Sequence, residues 1–106
     1  LNNPNHCLLI CYLQKNKKKV GVVRFTVEDH VALISINIAP TMRGKGLAKI
    51  CLSNSISFFK KKYVGITKLE AEIKPKNTPS RRAFEAVGFV LKHTKDDVGY
   101  FTRSIA

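Results

Sequence analysis
Residues 7–13, Cys-Leu-Leu-Ile-Cys-Tyr-Leu, are apolar almost without a break, and a β-branched run covers 20–27 after the lysine-rich stretch 15–19. Two such runs about a polar turn predict a hairpin. Glu28, Asp29 and His30 interrupt the pattern, and Val31 to Ile38 then reads as a third strand. Ala32, Ile34, Ile36 and Ile38 share one of its faces, Ser35 and Asn37 the other. Ala39-Pro40 ends it, because proline cannot donate to a ladder. The period then changes: Leu47, Ile50, Cys51 and Phe58, with Ala48, Leu52 and Phe59 alongside, recur at helical spacing to about Tyr63. Lys60, Lys61 and Lys62 suit the negative end of that helix. Leu69, Ala71 and Ile73 alternate with Lys68, Glu70, Glu72 and Lys74 in a fourth strand stopped by Pro75. Thr78 as cap and Pro79 in the first turn predict a second helix, with Ala83, Phe84 and Val87 buried and Gly88 as the stop. Residues 89–91 and 98–104 close the chain as a pair of strands about Lys95, Asp96 and Asp97.

The order β-β-β-α-β-α-β-β predicts an α/β (α+β) fold with a mixed sheet, since strand, helix, strand implies a parallel crossover among antiparallel neighbours. At 106 residues, 1–106 is a single domain. The chain has 44% apolar and 25% charged residues and three cysteines, too few for a disulfide scaffold. Cys7, Cys11 and Cys51 read as reduced apolar filler, and no metal motif is present. No run reaches the roughly 20 apolar residues of a membrane span, and residues 1–6 lack signal-peptide character, so the default address is cytoplasmic. The chain begins at Leu1 and its sole methionine is Met42, which fits a processed chain or a part of a longer one. Nineteen Lys and Arg against seven Asp and Glu leave a net charge of +12. That excess calls for an acidic partner: nucleic acid, a membrane surface or a phosphorylated cofactor.

Arg43-Gly44-Lys45-Gly46-Leu47-Ala48 sits between a strand and a helix, where free N–H groups and the helix dipole favour an anion. Glycine at 44 and 46 lets a phosphate approach, and Arg43 and Lys45 carry the right charge. A Walker loop is excluded, because Lys45 is followed by Gly46 rather than Ser or Thr. The dinucleotide fingerprint wants a third glycine where Lys49 stands.

Ile36-Asn37-Ile38-Ala39-Pro40 followed by Arg43-x-x-Gly46-x-Ala48 resembles the acyl-CoA loop of the GNAT superfamily of N-acetyltransferases. A second block, Asn77-x-x-Ser80-x-x-x-Phe84-x-x-x-Gly88-Phe89, is similar to that family's other hallmark. The resemblance covers about 20–101. It implies acetyl-CoA as cofactor, its pyrophosphate on the backbone amides of Arg43, Gly44, Lys45, Gly46, Leu47 and Ala48. The pantetheine arm would lie along Ile36 and Ile38 by strand addition, in a gap splayed between Val31–Ile38 and 68–74, with Asn77 and Ser80 beside it.

Acyl transfer to an amine needs a base, an oxyanion donor and a departing thiolate. By resemblance the Ile38 N–H is the oxyanion donor. Glu72, five residues before Asn77, matches the base position of the family's ribosomal-protein acetyltransferases, and by alternation it shares a face with Glu70. Two such carboxylates would raise each other's proton affinity; pairing with Lys68 and Lys74 is the competing role. Glu28, Asp29 and His30 are substitute bases. Many relatives carry tyrosine as general acid where this chain has Phe84. A thiol of pKa about 8.5 nonetheless leaves tolerably as thiolate.

The family's usual N-terminal strand and two helices, which build much of the acceptor pocket, have no counterpart here. The acceptor side is therefore open, or completed by a homodimer partner or by fusion to a larger enzyme. The two blocks look most like members that acetylate nucleotide-linked amino sugars, so a small-molecule amine or amino-sugar acceptor is expected. Two other readings stand beside this one: an idle CoA-binding domain, and a basic nucleic-acid-binding module. The second wants aromatics among its basic residues, and only Phe25 and Tyr12 come near that.

Overall fold
The structure is a computed structural model that describes residues 5–106; residues 1–4, part of the stretch read above for signal-peptide character, lie outside the described residues. Strands β1 (His6–Tyr12), β2 (Lys19–Glu28) and β3 (Val31–Ile38) are followed by helix α1 (Leu47–Lys62) and β4 (Lys68–Ile73). Helix α2 (Thr78–Ala86) and strands β5 (Val90–Lys95) and β6 (Val98–Ser104) complete the chain. This is the order that the polarity pattern predicts. The strands form one six-stranded sheet, β1-β2-β3-β4-β6-β5. Only β3 and β4 run parallel. Asp96 and Asp97 take positive φ at the β5–β6 turn, a two-residue hairpin conformation that short polar side chains tolerate.

Alternation decides which side chains face the helices. Val23, Phe25, Ala32, Ile34, Leu69, Ala71 and Phe101 are buried on that side. Phe59 of α1 stacks on Phe25 with ring centroids 4.1 Å apart, and Tyr63 stacks on Phe59 at 4.5 Å. Burying one such ring stabilises by about 1.5–3 kcal/mol, and stacking adds about 0.5–1.5 kcal/mol; this column anchors α1. Phe84 of α2 meets Phe89 edge-on at 5.0 Å. Both helices pack on this one side. Among the described residues no element covers the other face, where Arg24, Ser35, Asn37, Glu72 and His93 are exposed.

The helices differ from the sequence reading in two details. The buried stripe of α1 is Cys51, Leu52, Ser55, Ile56 and Phe59, while Ile50 and Phe58 are 56% and 49% exposed. Polar Ser55 hides the stripe in the sequence; its hydroxyl lies 3.7 Å from Cys11 Sγ and so tolerates burial. Second, the cap of α2 is Asn77, whose Oδ1 accepts from the Ser80 N–H at 3.2 Å, and Thr78 is already helical.

Candidate active site
Strands β3 and β4 pair only where they begin, Val31 with Lys68, Ala32 with Leu69 and Leu33 with Glu70. Beyond Leu33 they part, and β4 stays with β6 as far as Ile73 opposite Gly99. The Ala39 N–H donates to the Val20 carbonyl at 2.8 Å, back toward β2. Backbone groups alternate sides along a strand, so Ile36 and Ile38 turn theirs into the space that β4 has left.

A cavity of about 200 Å³ occupies the gap. Ile34, Ser35 and Ile36 border it from β3, and Glu72, Ile73 and Lys74 from β4 and the residue after it. Consecutive strand residues point to opposite faces. A cavity bordered by three consecutive residues of each strand is a slot between the two parted strand edges. Asn77, Ser80 and Phe84 border it on the helix side.

Helix α1 begins just past the end of β3. Its cap is Gly46 at φ +72°, preceded by Gly44 at φ +75°, and no side chain caps the first turn or places an acid there. At neither glycine would an added Cβ meet another atom within 4 Å. Backbone conformation is therefore what requires glycine, and the space in front of the helix tip is open. Leu47 and Ala48 open the helix with N–H groups that no described side chain accepts. Lys45 is exposed nearby, whereas Arg43 turns back so that its Nε donates to the Ile38 carbonyl at 3.0 Å. That bond holds the loop to the end of β3 beside the slot.

Glu72 and Glu70 share the open face, yet their surroundings differ. Glu70 lies 3.5 Å from Lys68. Glu72 borders the slot, and neither Lys74 nor any other described cation pairs with it. Glu28, Asp29 and His30 stand at the opposite end of β3, roughly 16 Å of strand from Ser35. His30 Nδ1 lies 3.2 Å from the Gly65 carbonyl, and Thr67 Oγ1 donates to the His30 carbonyl at 3.3 Å. These two bonds tie the His30 turn to the loop before β4, away from the slot. Phe84 is buried against Phe89, a core ring whose flank forms slot wall.

One group escaped sequence reasoning. Tyr100 stands directly opposite Glu72 in the β4–β6 register. His93 pairs with Tyr100 in the next strand and stacks on it at 4.6 Å, 10° from parallel. Glu72 and Tyr100 are distant in sequence, and no motif announces the pair.

The remaining candidates are structural. Cys7, Cys11 and Cys51 are free thiols. Burial, reinforced by the neighbouring Cys11, pushes the Cys51 thiol up to about 12, the behaviour of packing material rather than a nucleophile. A larger hollow of about 320 Å³ lies between β1 and α1, lined mainly by apolar side chains such as Ile10, Leu13, Ile50 and Phe58. No Asp, Glu, His, Lys or Arg lines it. Phe25, one of two aromatics on which a nucleic-acid reading leaned, is wholly buried. Among the described residues no helix is long and apolar enough to cross a membrane.

A glycine-rich turn at an uncapped helix tip beside parted parallel strands is the arrangement that the resemblance to the GNAT acetyltransferases implies. The family model "Acetyltransferase (GNAT) family" matches residues 1–89, and the chain belongs to that family. Its members use acetyl-CoA as acetyl donor. No curated protein matches the chain. Among solved structures, spermidine N-acetyltransferase from Vibrio cholerae in complex with CoA and spermine superposes with a TM-score of 0.84 at 17% identity. That match covers 97% of this chain and 68% of the other. The N-acetyltransferase PseH from Campylobacter jejuni gives 0.80 at 14% identity, covering 98% and 71%. A GNAT-family acetyltransferase from Streptococcus pneumoniae gives 0.82 at 18%, covering 99% and 70%. At these identities the likeness establishes the shared fold.

Proposed function
We propose that the protein transfers an acetyl group from acetyl-CoA to a primary amine by direct attack within the slot. The observation that carries this reading is the junction of two vacancies: an uncapped helix tip and a strand edge without a neighbour. The tip offers N–H groups and positive dipole to a diphosphate. The edge offers the Ile36 backbone to an amide-bearing arm, with the Ile38 N–H beyond it and the Ile38 carbonyl already held by Arg43. Gly44, Lys45, Gly46, Leu47 and Ala48 hold the diphosphate, Arg43 fixes their loop, and Asn77 and Ser80 flank the arm. Asn77 caps α2 through its oxygen, which leaves its NH2 group as donor.

Acetyl-CoA supplies a thioester whose C–S bond breaks as the new amide forms. Glu72 takes the proton that the acceptor ammonium must lose before its nitrogen can attack. The Ile38 N–H, turned into the gap, donates to the carbonyl oxygen as negative charge develops there. Phe84 has no hydroxyl for the leaving sulfur, which departs as thiolate. The Vibrio cholerae neighbour acts on spermidine; the amino-sugar class suggested by the sequence blocks is one candidate acceptor and a polyamine another. A donor made and consumed inside cells fits a cytoplasmic address.

Thermal unfolding with acetyl-CoA, CoA and single-stranded nucleic acid, side by side, tests the reading. At a hundredfold excess over Kd, acetyl-CoA should add about 2.7 kcal/mol, a rise in Tm of roughly 10 °C or more for a domain this small. Stabilisation by nucleic acid and by neither CoA form would overturn it.

A further inference from the structure
The two edges of the sheet differ. Strand β5 carries Lys92 and Lys95, and a bulge between Leu91 and His93 breaks its line. Charges and bulges are the ordinary guards of an exposed edge. Strand β1 has no Lys, Arg, Asp or Glu, and its one irregularity falls at its end, between Cys11 and Tyr12. Among the described residues no strand lies beyond it. The Val27 N–H donates to the Asn5 carbonyl at 2.6 Å. By alternation Cys7 and Leu9 also bond inward to β2, and Leu8 and Ile10 turn their N–H and C=O groups outward.

Beside this bare edge, on the helix side, lies the hollow of about 320 Å³. Leu9, Cys11 and Leu13 line it from β1 and the residue after it, and Ile50 and Phe58 from α1. An apolar trough along a free strand edge suits an extended polypeptide, whose backbone pairs with the edge while alternate side chains fill the trough.

Charge selects among polypeptides. The seven acidic side chains lie at 28–29 and 70–97, and none lies in 5–27 or 30–69, the stretches that build the trough. Cations stand at both of its ends. Lys15, Lys17, Lys18 and Lys19 form the turn after β1, where the Lys17 N–H donates to the Leu13 carbonyl and the Leu13 N–H to the Lys18 carbonyl, each at 2.8 Å. At the other end Lys60, Lys61 and Lys62 close α1, and the Tyr63 hydroxyl just after them donates to the His6 carbonyl at 3.4 Å. The length of β1, about 20 Å, separates the two clusters.

We propose that β1 and the trough are a docking site for an extended segment of a partner protein, apolar at alternate residues and acidic at both ends. Its backbone pairs with Leu8 and Ile10, its apolar side chains lie against Ile50 and Phe58, and its terminal carboxylates meet the two lysine clusters. A second copy of this chain would bring lysines toward lysines. A lipid surface would press the outward N–H groups of β1 against hydrocarbon, which has no acceptor for them. The trough and the slot share no lining residue, so this docking site is independent of the acetyltransferase reading.

The probe is the end-capped peptide Asp-Glu-Val-Thr-Val-Thr-Val-Glu-Asp, titrated into the whole protein by calorimetry. It should bind one to one, and raising salt from about 50 mM to about 0.5 M should weaken it at least about tenfold. A counterpart with Lys at every acidic position should bind at least about a hundredfold more weakly. N–H groups alternate sides along a strand, so N-methylating the valine amides in one peptide and the threonine amides in another should abolish binding of one and spare the other. Phe58→Ala and Lys18→Glu, both at exposed positions, should each weaken the parent peptide about tenfold, with the CoA-induced rise in Tm retained. No binding of the acidic peptide, equal binding of its lysine counterpart, or equal binding of both methylated forms would overturn the proposal. So would a dimer of the free protein, or binding to phosphatidylglycerol vesicles, that Phe58→Ala abolishes. Absence of any CoA-induced rise in the parent protein would overturn the acetyltransferase reading alone.

Discussion
The two helices begin in opposite ways. Helix α2 starts on Asn77, whose side chain occupies one of the first free N–H groups, and a proline stands in its first turn. Helix α1 starts on a left-handed glycine, with no side-chain cap and no acid in the first turn, although it is the longer helix. A side-chain cap in place of glycine is worth a few tenths of a kcal/mol, a small cost to folding that the diphosphate proposed above would offset. The difference teaches that a helix tip is read as a site by what the chain withholds from it. Size misleads by comparison: the larger hollow, between β1 and α1, is mainly apolar and lined by no Asp, Glu, His, Lys or Arg.

The strongest way to break this contrast is to fill the open tip. Gly46→Glu puts a carboxylate and a left-handed strain of about 1–2 kcal/mol at the α1 cap. It should abolish the CoA-induced rise in Tm, a loss of affinity of at least about a hundredfold, while the unliganded protein still unfolds cooperatively. Retained CoA affinity would place the diphosphate elsewhere. Next in size, Glu72→Gln should lower turnover about 10²–10³-fold with CoA binding unchanged, measured by steady-state kinetics and calorimetry. An unaltered pH–rate profile would remove Glu72 from the reaction.

At the closed tip the effects are smaller and separable. Asn77→Ala should cost about 1 kcal/mol of stability, lowering Tm by about 4–8 °C. Asn77→Asp keeps an oxygen for the Ser80 N–H and removes the NH2 donor. It should hold Tm near the parent value yet weaken CoA, and equal CoA affinity would reduce Asn77 to a cap. A separate effect, visible only at high pH, belongs to the cysteines. The Cys51 thiol is raised in the fold from 9.0 to about 12, so the folded state keeps its proton longer than the unfolded one. That contribution is full below about pH 9 and is lost as pH climbs toward 12, so stability should decline across that window. Cys51→Ala should flatten the decline measured by denaturant titration.

Much of this was legible along the chain because it is local. Strand alternation named the buried faces of β3 and β4, and the Gly-x-Gly turn marked the α1 tip. The two family blocks placed Asn77 and Ser80 beside the slot that the structure shows. The buried stripe of α1 was less legible, since Ser55 interrupts it and only the contact with Cys11 explains why a hydroxyl sits there. The pairing of Glu70 and Glu72 was half resolved: they do share a face, and Lys68 takes the first. Whether Lys74 would take the second depends on where the strand ends and turns, which alternation does not specify.

By itself the sequence determined the element order, the face each strand buries and the loop able to receive an anion, because these follow from periodicity and from backbone preferences over a few residues. Tertiary structure alone decided how far β3 and β4 stay together, and that Tyr100 and His93 fall into line with Glu72. Those depend on strand register and sheet order, set by the packing of the whole core and recorded by no short stretch of the chain.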